Sequence, residues 1–158
     1  YFLRKKKKRI LHFAPEKNLK DLINSFDHNY FTTDLNMQNV DLPKQDIQNL
    51  KIPDHSFDII LSNHVLEHVP NDQKALKEIS RILEVNGLAI ITVPGDWRRV
   101  KTKYYDFPTK NGHYRHYGLD FSKKLEKYFS SIKIIDLIKL GGSKHAINQL
   151  ELAFLCKK

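Results

Sequence analysis

The chain has 158 residues, 41% of them hydrophobic, enough for one domain with a real core and too apolar for a disordered segment. Its 27 Lys and Arg against 18 Asp and Glu give a net charge of +9, no apolar run approaches the ~20 residues of a membrane span, and no apolar stretch follows the basic start as a secretory signal requires. The one cysteine, Cys156, excludes an internal disulfide and a cysteine-based zinc site, and together these features lead us to expect a cytoplasmic protein.

The run Arg4-Lys5-Lys6-Lys7-Lys8-Arg9 holds six of the 27 basic residues. It reads as a solvated lead-in over residues 1–9, with an anionic partner such as nucleic acid as the alternative. The other basic residues are scattered and little interleaved with aromatics, which argues against nucleic acid. Ile10-Leu11-His12-Phe13 is a short apolar strand, and Ala14-Pro15 turns out of it. Leu19, Leu22, Ile23 and Phe26 recur at helical spacing. Tyr30-Phe31-Thr32-Thr33 is a second strand that ends at Asp34. Residues 35–53 are polar, with a weak strand near Gln45-Asp46-Ile47. Phe57–Ser62 is a buried strand.

Asn71 or Asp72 caps the next helix, whose inner face is Ala75, Leu76, Ile79, Ile82 and Leu83. Asn86-Gly87 stops it, because glycine accepts the left-handed conformation. Leu88–Val93 is the next strand. Residues 95–118 are aromatic, basic and irregular, too long for a simple connection, so they read as a functional loop on the substrate side. A helix with Phe121, Leu125, Tyr128 and Phe129 inward follows. Ile132–Ile138 and Leu150–Cys156 are the last strands. The connection between them, opened by Gly141-Gly142, is too short for a crossover helix, so this pair is antiparallel.

The alternation predicts an α/β fold in a single domain over residues 1–158. It is a Rossmann-like, mostly parallel sheet of about seven strands with the last strand antiparallel and helices on both faces. Residues 35–43 are too short for a full crossover, so the helix between the second and third strands is reduced or missing.

Three segments carry a family resemblance. Leu50-Lys51-Ile52-Pro53-Asp54-His55-Ser56-Phe57-Asp58 is similar to "L-P-F-x-D-x-S-F-D". Val65-Leu66-Glu67-His68-Val69 resembles "V-L-E-H-V". Ile82-Leu83-Glu84-Val85-Asn86-Gly87 resembles "V-L-K-P-G-G". In this order the chain resembles a class I S-adenosylmethionine-dependent methyltransferase of the small-molecule "type 11" kind. The first motif departs from it. Where the family has E-x-G-x-G-x-G, this chain has His12-Phe13-Ala14-Pro15-Glu16-Lys17-Asn18, which is similar to a branch with "L-H-F-A-P-E". A dinucleotide's pyrophosphate needs bare glycine backbone. S-adenosylmethionine carries no phosphate, so the substitution is tolerable, and it counts against a nicotinamide dehydrogenase.

The resemblance implies roles by position. His12 stands at the family's acid, Ala14 leaves room for the cofactor, and Glu16 binds its ammonium. Asp34 accepts the ribose hydroxyls, or else caps a turn. Asp46 meets the adenine amine, with Ile47 packed on the ring. Asn63 and His64 pass the methionine moiety and the methyl group. Glu67 binds backbone amides of its turn and His68 packs beside it. His64-x-x-Glu67-His68 also spells a zinc signature, but that needs a sustained helix. A strand enters from one side and Pro70 closes the other, so no metal is expected.

In the substrate-side loop, His113-Tyr114-Arg115-His116-Tyr117 resembles the same branch's "H-x-R-x-Y/F". His113 and His116 are candidates for a catalytic base, as histidine titrates near neutral pH. Arg115 binds an anionic acceptor or fixes the loop, and Trp97 and Tyr105 are candidate acceptor contacts. The function implied is transfer of a methyl group from S-adenosyl-L-methionine to oxygen or nitrogen of a small molecule. A non-catalytic module of the same fold and an RNA methyltransferase are the alternatives.

Overall fold

The computed structural model describes residues 7–137, 139 and 151–158. Strand β1 covers Arg9–Phe13, β2 Asn29–Asp34, β3 Leu42–Pro43, β4 Phe57–Asn63, β5 Leu83–Thr92, β8 Ser131–Asp136 and β9 Leu152–Lys157. They form one seven-stranded sheet in the order β3-β2-β1-β4-β5-β9-β8. β1 to β5 pair in parallel, and β9 runs antiparallel to both β5 and β8. The fold class expected from the alternation is the one found. Gly141-Gly142 and the expected strand ends Ile138 and Leu150 lie outside the described residues.

Helix α1 covers Lys17–Asn24, α2 Asp72–Ile82 and α3 Asp120–Leu125. Side chains alternate across a strand, so the sheet divides the apolar residues into two clusters. Leu11, Ile60, Ala89, Ile91 and Phe154 pack with Leu76 and Ile79 of α2 and with Phe121 and Leu125 of α3. Ile10, Ile59 and Leu61 form a smaller cluster on the other face with Ile23 of α1. The register sets this division, since a one-residue slip exchanges the two faces.

Four local expectations change. The third strand lies at Leu42–Pro43 rather than at Gln45-Asp46-Ile47, because Leu42 pairs with Thr33 at the end of β2. Helix α2 stops at Ile82, before Asn86-Gly87, because Leu83 pairs with Phe57 and enters the sheet. Asn86, not Gly87, takes the left-handed conformation, at φ 63°. The loop over residues 95–118 is not irregular throughout. It contains a two-stranded antiparallel ribbon of β6, Lys103–Tyr104, and β7, Arg115–His116.

Asn71 caps α2, its side chain accepting the Lys74 N–H at 3.1 Å. No helix joins β2 to β3, as the short connection required. At the described end of the basic lead-in, Lys7 meets Asp27 at 2.9 Å, and Arg9 meets Glu84 at 2.7 Å and Asp58 at 3.2 Å, while the Lys7 and Arg9 side chains stay 53% and 40% exposed. Among the described residues no helix is long and apolar enough to cross a membrane.

Candidate functional site

A cleft of about 300 Å³ opens at the carboxyl ends of β1, β2 and β4, where open α/β sheets bind ligands. Ala14, Asp34, Asp46, Ile47 and His64 line it, all singled out in the sequence. Phe13, Gln48, His68 and Val69 are among the other residues of its walls. Ala14 sits at φ 49°, a left-handed conformation that ordinarily selects glycine. Its N–H donates to the Thr33 carbonyl at 2.9 Å. The first motif has thus lost its glycines but kept a glycine-like bend.

Asp34 Oδ1 accepts the N–H groups of Asn36 at 2.7 Å and Met37 at 2.8 Å, a turn cap that also fixes the carboxylate in the cleft wall. Asp46 Oδ1 accepts the Gln48 N–H at 2.8 Å. Gln48 Oε1 in turn accepts the Asn71 N–H at 2.9 Å, which ties the cleft floor to the start of α2. Gln48 has no motif signature and is found only through this contact.

His12 is elsewhere. It is fully buried beneath the turn, with Nδ1 at 2.7 Å from the Tyr30 hydroxyl and Nε2 at 2.8 Å from Glu16. With Nε2–H donating to the carboxylate, Nδ1 accepts from tyrosine. Burial lowers the imidazole despite Glu16, and burial with the Glu16 and Asp41 charges pushes the Tyr30 hydroxyl up to about 12. His12 therefore positions Glu16 and lies out of reach of a ligand. Glu16 and Asn63 line a second opening of about 340 Å³, which meets the first at His64.

His64 also has a left-handed backbone, at φ 49°. Nδ1 stands 3.4 Å from Glu67 and Nε2 3.1 Å from Glu151. Contact with Glu67, then Glu151, raises its pKa to about 9. Glu67 follows in a single 3-10 turn, Leu66–His68, with 1% of its surface exposed. Its carboxylate does not bind the amides of its turn: Oε1 meets His64 and, at 3.9 Å, His68, and Oε2 has no hydrogen-bond partner.

The substrate-side loop is stitched to this turn. The Tyr114 N–H donates to the Glu67 carbonyl at 2.8 Å. Arg115, 2% exposed, donates to the carbonyls of Leu66 at 2.6 Å and of Val69 and Pro70 at 2.7 Å each. Arg115 therefore fixes the loop and does not face an acceptor. Behind it, Asp72 Oδ2 accepts from the Tyr117 hydroxyl at 3.0 Å and the Lys124 ammonium at 2.6 Å. Buried charges persist only when so paired.

The clamp sets the His113 ring edge-on to His68, with centroids 4.8 Å apart. Burial lowers the His113 pKa; Glu67 opposes this, and the charges of His68, His116 and His64 add to it. His116 follows in β7, half-buried. The Tyr105 N–H donates to the Tyr114 carbonyl at 3.0 Å, and the Lys103 ammonium sits 5.1 Å from its ring centre. Trp97 is not at the cleft. It is buried against Phe154, with ring centroids 5.4 Å apart, above Gly95, where any Cβ would strike the indole at 2.5 Å.

The strand order with its single antiparallel reversal, and the cleft at the carboxyl ends of β1, β2 and β4, define the fold of class I S-adenosylmethionine-dependent methyltransferases. Residues 14–91, just under half of the chain, match the family described as a methyltransferase domain. An S-adenosylmethionine-dependent methyltransferase from Archaeoglobus fulgidus superposes with a TM-score of 0.71 at 15% identity, covering 98% of this chain and 87% of that one. The 1,6-didemethyltoxoflavin N1-methyltransferase of Burkholderia thailandensis, solved with its substrate and S-adenosylhomocysteine, gives 0.67 at 16% identity over 97% and 72%. A phosphoethanolamine N-methyltransferase of Haemonchus contortus gives 0.70 at 14% over 97% and 49%. A curated relative, an uncharacterised 37.1 kDa protein of a Streptomyces fradiae transposon, is 31% identical over 81 residues. That match spans 51% of this chain but 23% of the relative's length.

Proposed function

We propose that the chain binds S-adenosyl-L-methionine in the cleft at the ends of β1, β2 and β4 and directs its methyl group to oxygen or nitrogen of a small molecule. The observation that carries this reading is the cleft lining. Asp34 is held in the wall with a carboxylate oxygen free for ribose hydroxyls. Asp46 and the apolar Ile47 lie together, as an adenine with its amine requires. Ala14 bends the backbone as a glycine would, leaving room beside the ligand. These residues fit a nucleoside carrying an amino acid. The bound cofactor supplies a methyl group on a positively charged sulfur, an activated leaving group.

The chain's own residues then have to position the acceptor, exclude water and take a proton where the acceptor carries one. The loop held by Arg115 covers that side. His113, edge-on to His68 of the β4 turn, and His116, in β7 of the same loop, are the candidates for proton removal. Trp97 serves the core, and Tyr105 alone of the expected aromatics remains on the loop surface as an acceptor contact. The small-molecule acceptors of the Burkholderia and Haemonchus proteins support this substrate class.

Calorimetric titration with S-adenosylmethionine and S-adenosylhomocysteine tests the reading. One saturable site is expected, weakened at least tenfold by Asp34→Ala, which also loses the turn cap on Asn36 and Met37 and with it some thermal stability; Asp34→Asn keeps an acceptor oxygen for the cap and isolates the contact to the ligand. No binding to the folded protein, or equal binding by Asp34→Ala, overturns it. An RNA partner instead predicts affinity that falls steeply with salt.

A further inference from the structure

We propose that Glu67, His68 and His113 form a binding site for a divalent transition cation of the zinc and cobalt type. A tetrapyrrole, an iron–sulfur cluster and a hard oxygen-loving ion such as calcium all fit this donor set poorly. Two imidazoles with one carboxylate is a donor set that zinc, cobalt(II) and iron(II) accept.

The spelling His64-x-x-Glu67-His68 points to the wrong pair. A zinc signature on a helix would bring His64 and His68 together on one face. Here the helical turn is three residues long and His64 stands outside it, in a left-handed conformation. The third donor comes from the loop instead. One ligand atom each of Glu67, His68 and His113 lie within 4.8 Å of one another. A tetrahedral site with bonds of about 2.0–2.2 Å needs donors roughly 3.5 Å apart. Both histidines are incompletely buried, and a small turn of each ring closes the difference.

A second observation points to a ligand independently. Glu67 is 1% exposed, and its Oε2 is buried without a hydrogen-bond partner. A sealed carboxylate oxygen is ordinarily satisfied, and His64 reaches only the other oxygen. Oε1 is the oxygen that faces His68, at 3.9 Å, and a cation held by the two rings and both oxygens of the carboxylate satisfies Oε2 as well. The supports are rigid: Tyr114 and Arg115 lock the loop to the turn through four hydrogen bonds. Gly112, at φ 77°, leaves His68 free to move, because a Cβ there would stand 3.3 Å from its Nδ1. The chain's net charge of +9 repels cations in general, so a saturable site must be built.

Three protein ligands leave a coordination position open, as in catalytic rather than structural zinc sites. His68 lines the cleft, so the open position faces it. If the methyltransferase reading holds, an acceptor oxygen or nitrogen bound there becomes more acidic, and His116 remains as the free imidazole. The metal site itself does not depend on that reading.

The test uses the full chain, stripped with a chelator and titrated with zinc(II) and cobalt(II). One site per chain is expected by calorimetry, with visible absorption bands on cobalt loading. Glu67→Gln and His113→Ala should each weaken binding by about 100-fold or more, and a remote change, His28→Gln, should not. Circular dichroism and thermal unfolding in chelator confirm that each variant folds, and His113→Asn replaces any His113→Ala that does not. The proposal is overturned by absence of saturable binding, or by binding that survives Glu67→Gln and His113→Asn. Titrating S-adenosylmethionine into the chelated protein separates the two proposals: cofactor binding without metal binding removes only the cation site, and the converse removes only the cofactor reading.

Discussion

The two faces of the sheet are built to different standards. On one, Ala75, Leu76, Ile79 and Ile82 of α2 and Phe121 and Leu125 of α3 are completely buried. On the other, α1 buries only Ile23, while Leu22 and Phe26 remain 56% and 47% exposed. A groove of about 360 Å³ runs between α1 and the sheet, floored by Ile10, Ile59 and Ile90. The well-packed face also carries the clamp of Arg115, Asp72, Tyr117 and Lys124. Stability and the geometry of the histidine cluster therefore come from the same side. The α1 side supplies the first turn and Glu16 but little packing.

The largest effect should come from the packed face. Leu76→Ala removes a side chain with no exposed surface and leaves a cavity, at a cost of about 2–5 kcal/mol. Urea unfolding measures it. A cost below about 1 kcal/mol would mean that this face relaxes as freely as the other. Leu22→Ser is the matched change on α1. Its side chain is already half in water, so the loss should stay under about 1 kcal/mol. A larger loss would show that the groove is covered in solution and that the contrast between the faces is overstated.

The same asymmetry explains what the sequence disclosed. Helix α2 was legible because its apolar residues at 75, 76, 79 and 82 face a sheet that buries all of them. The equally regular Leu19, Leu22, Ile23 and Phe26 suggested an inward face of four residues, yet only Ile23 is buried, because spacing says nothing of whether a partner surface exists. Trp97 lies in the core rather than among acceptor contacts, and of the two roles open to Arg115 the structure shows the fixing of the loop, for a related reason. An aromatic and a guanidinium in a loop suggest a ligand, and only tertiary contacts reveal that the indole packs on Phe154 and that the guanidinium satisfies three carbonyls. Asp34, Asp46 and Ile47 do reach the cleft as their positions implied, since they follow strand ends whose order the alternation fixes. Neither Glu67 nor His113 announces the other, being 46 positions apart in sequence.

The smallest expected loss of stability lies at the junction of β1 and α1, on the weaker face. Ala14 occupies a left-handed conformation at φ 49°. An L-residue there costs about 1–2 kcal/mol that glycine avoids. Glycine also gains freedom in the unfolded chain, worth about 0.4–1 kcal/mol in the opposite direction. Ala14→Gly should therefore stabilise the protein by between about 0 and 1.6 kcal/mol, as read from urea unfolding. If the bend is what matters for the ligand, affinity for S-adenosylmethionine should hold or improve, because the backbone keeps its path and the cleft loses only a methyl group. A loss of stability beyond about 1 kcal/mol would show instead that the Ala14 methyl packs usefully against the turn. The missing glycines would then be a compensation for the thin α1 face, and the first motif would owe its sequence to stability as well as to the cofactor.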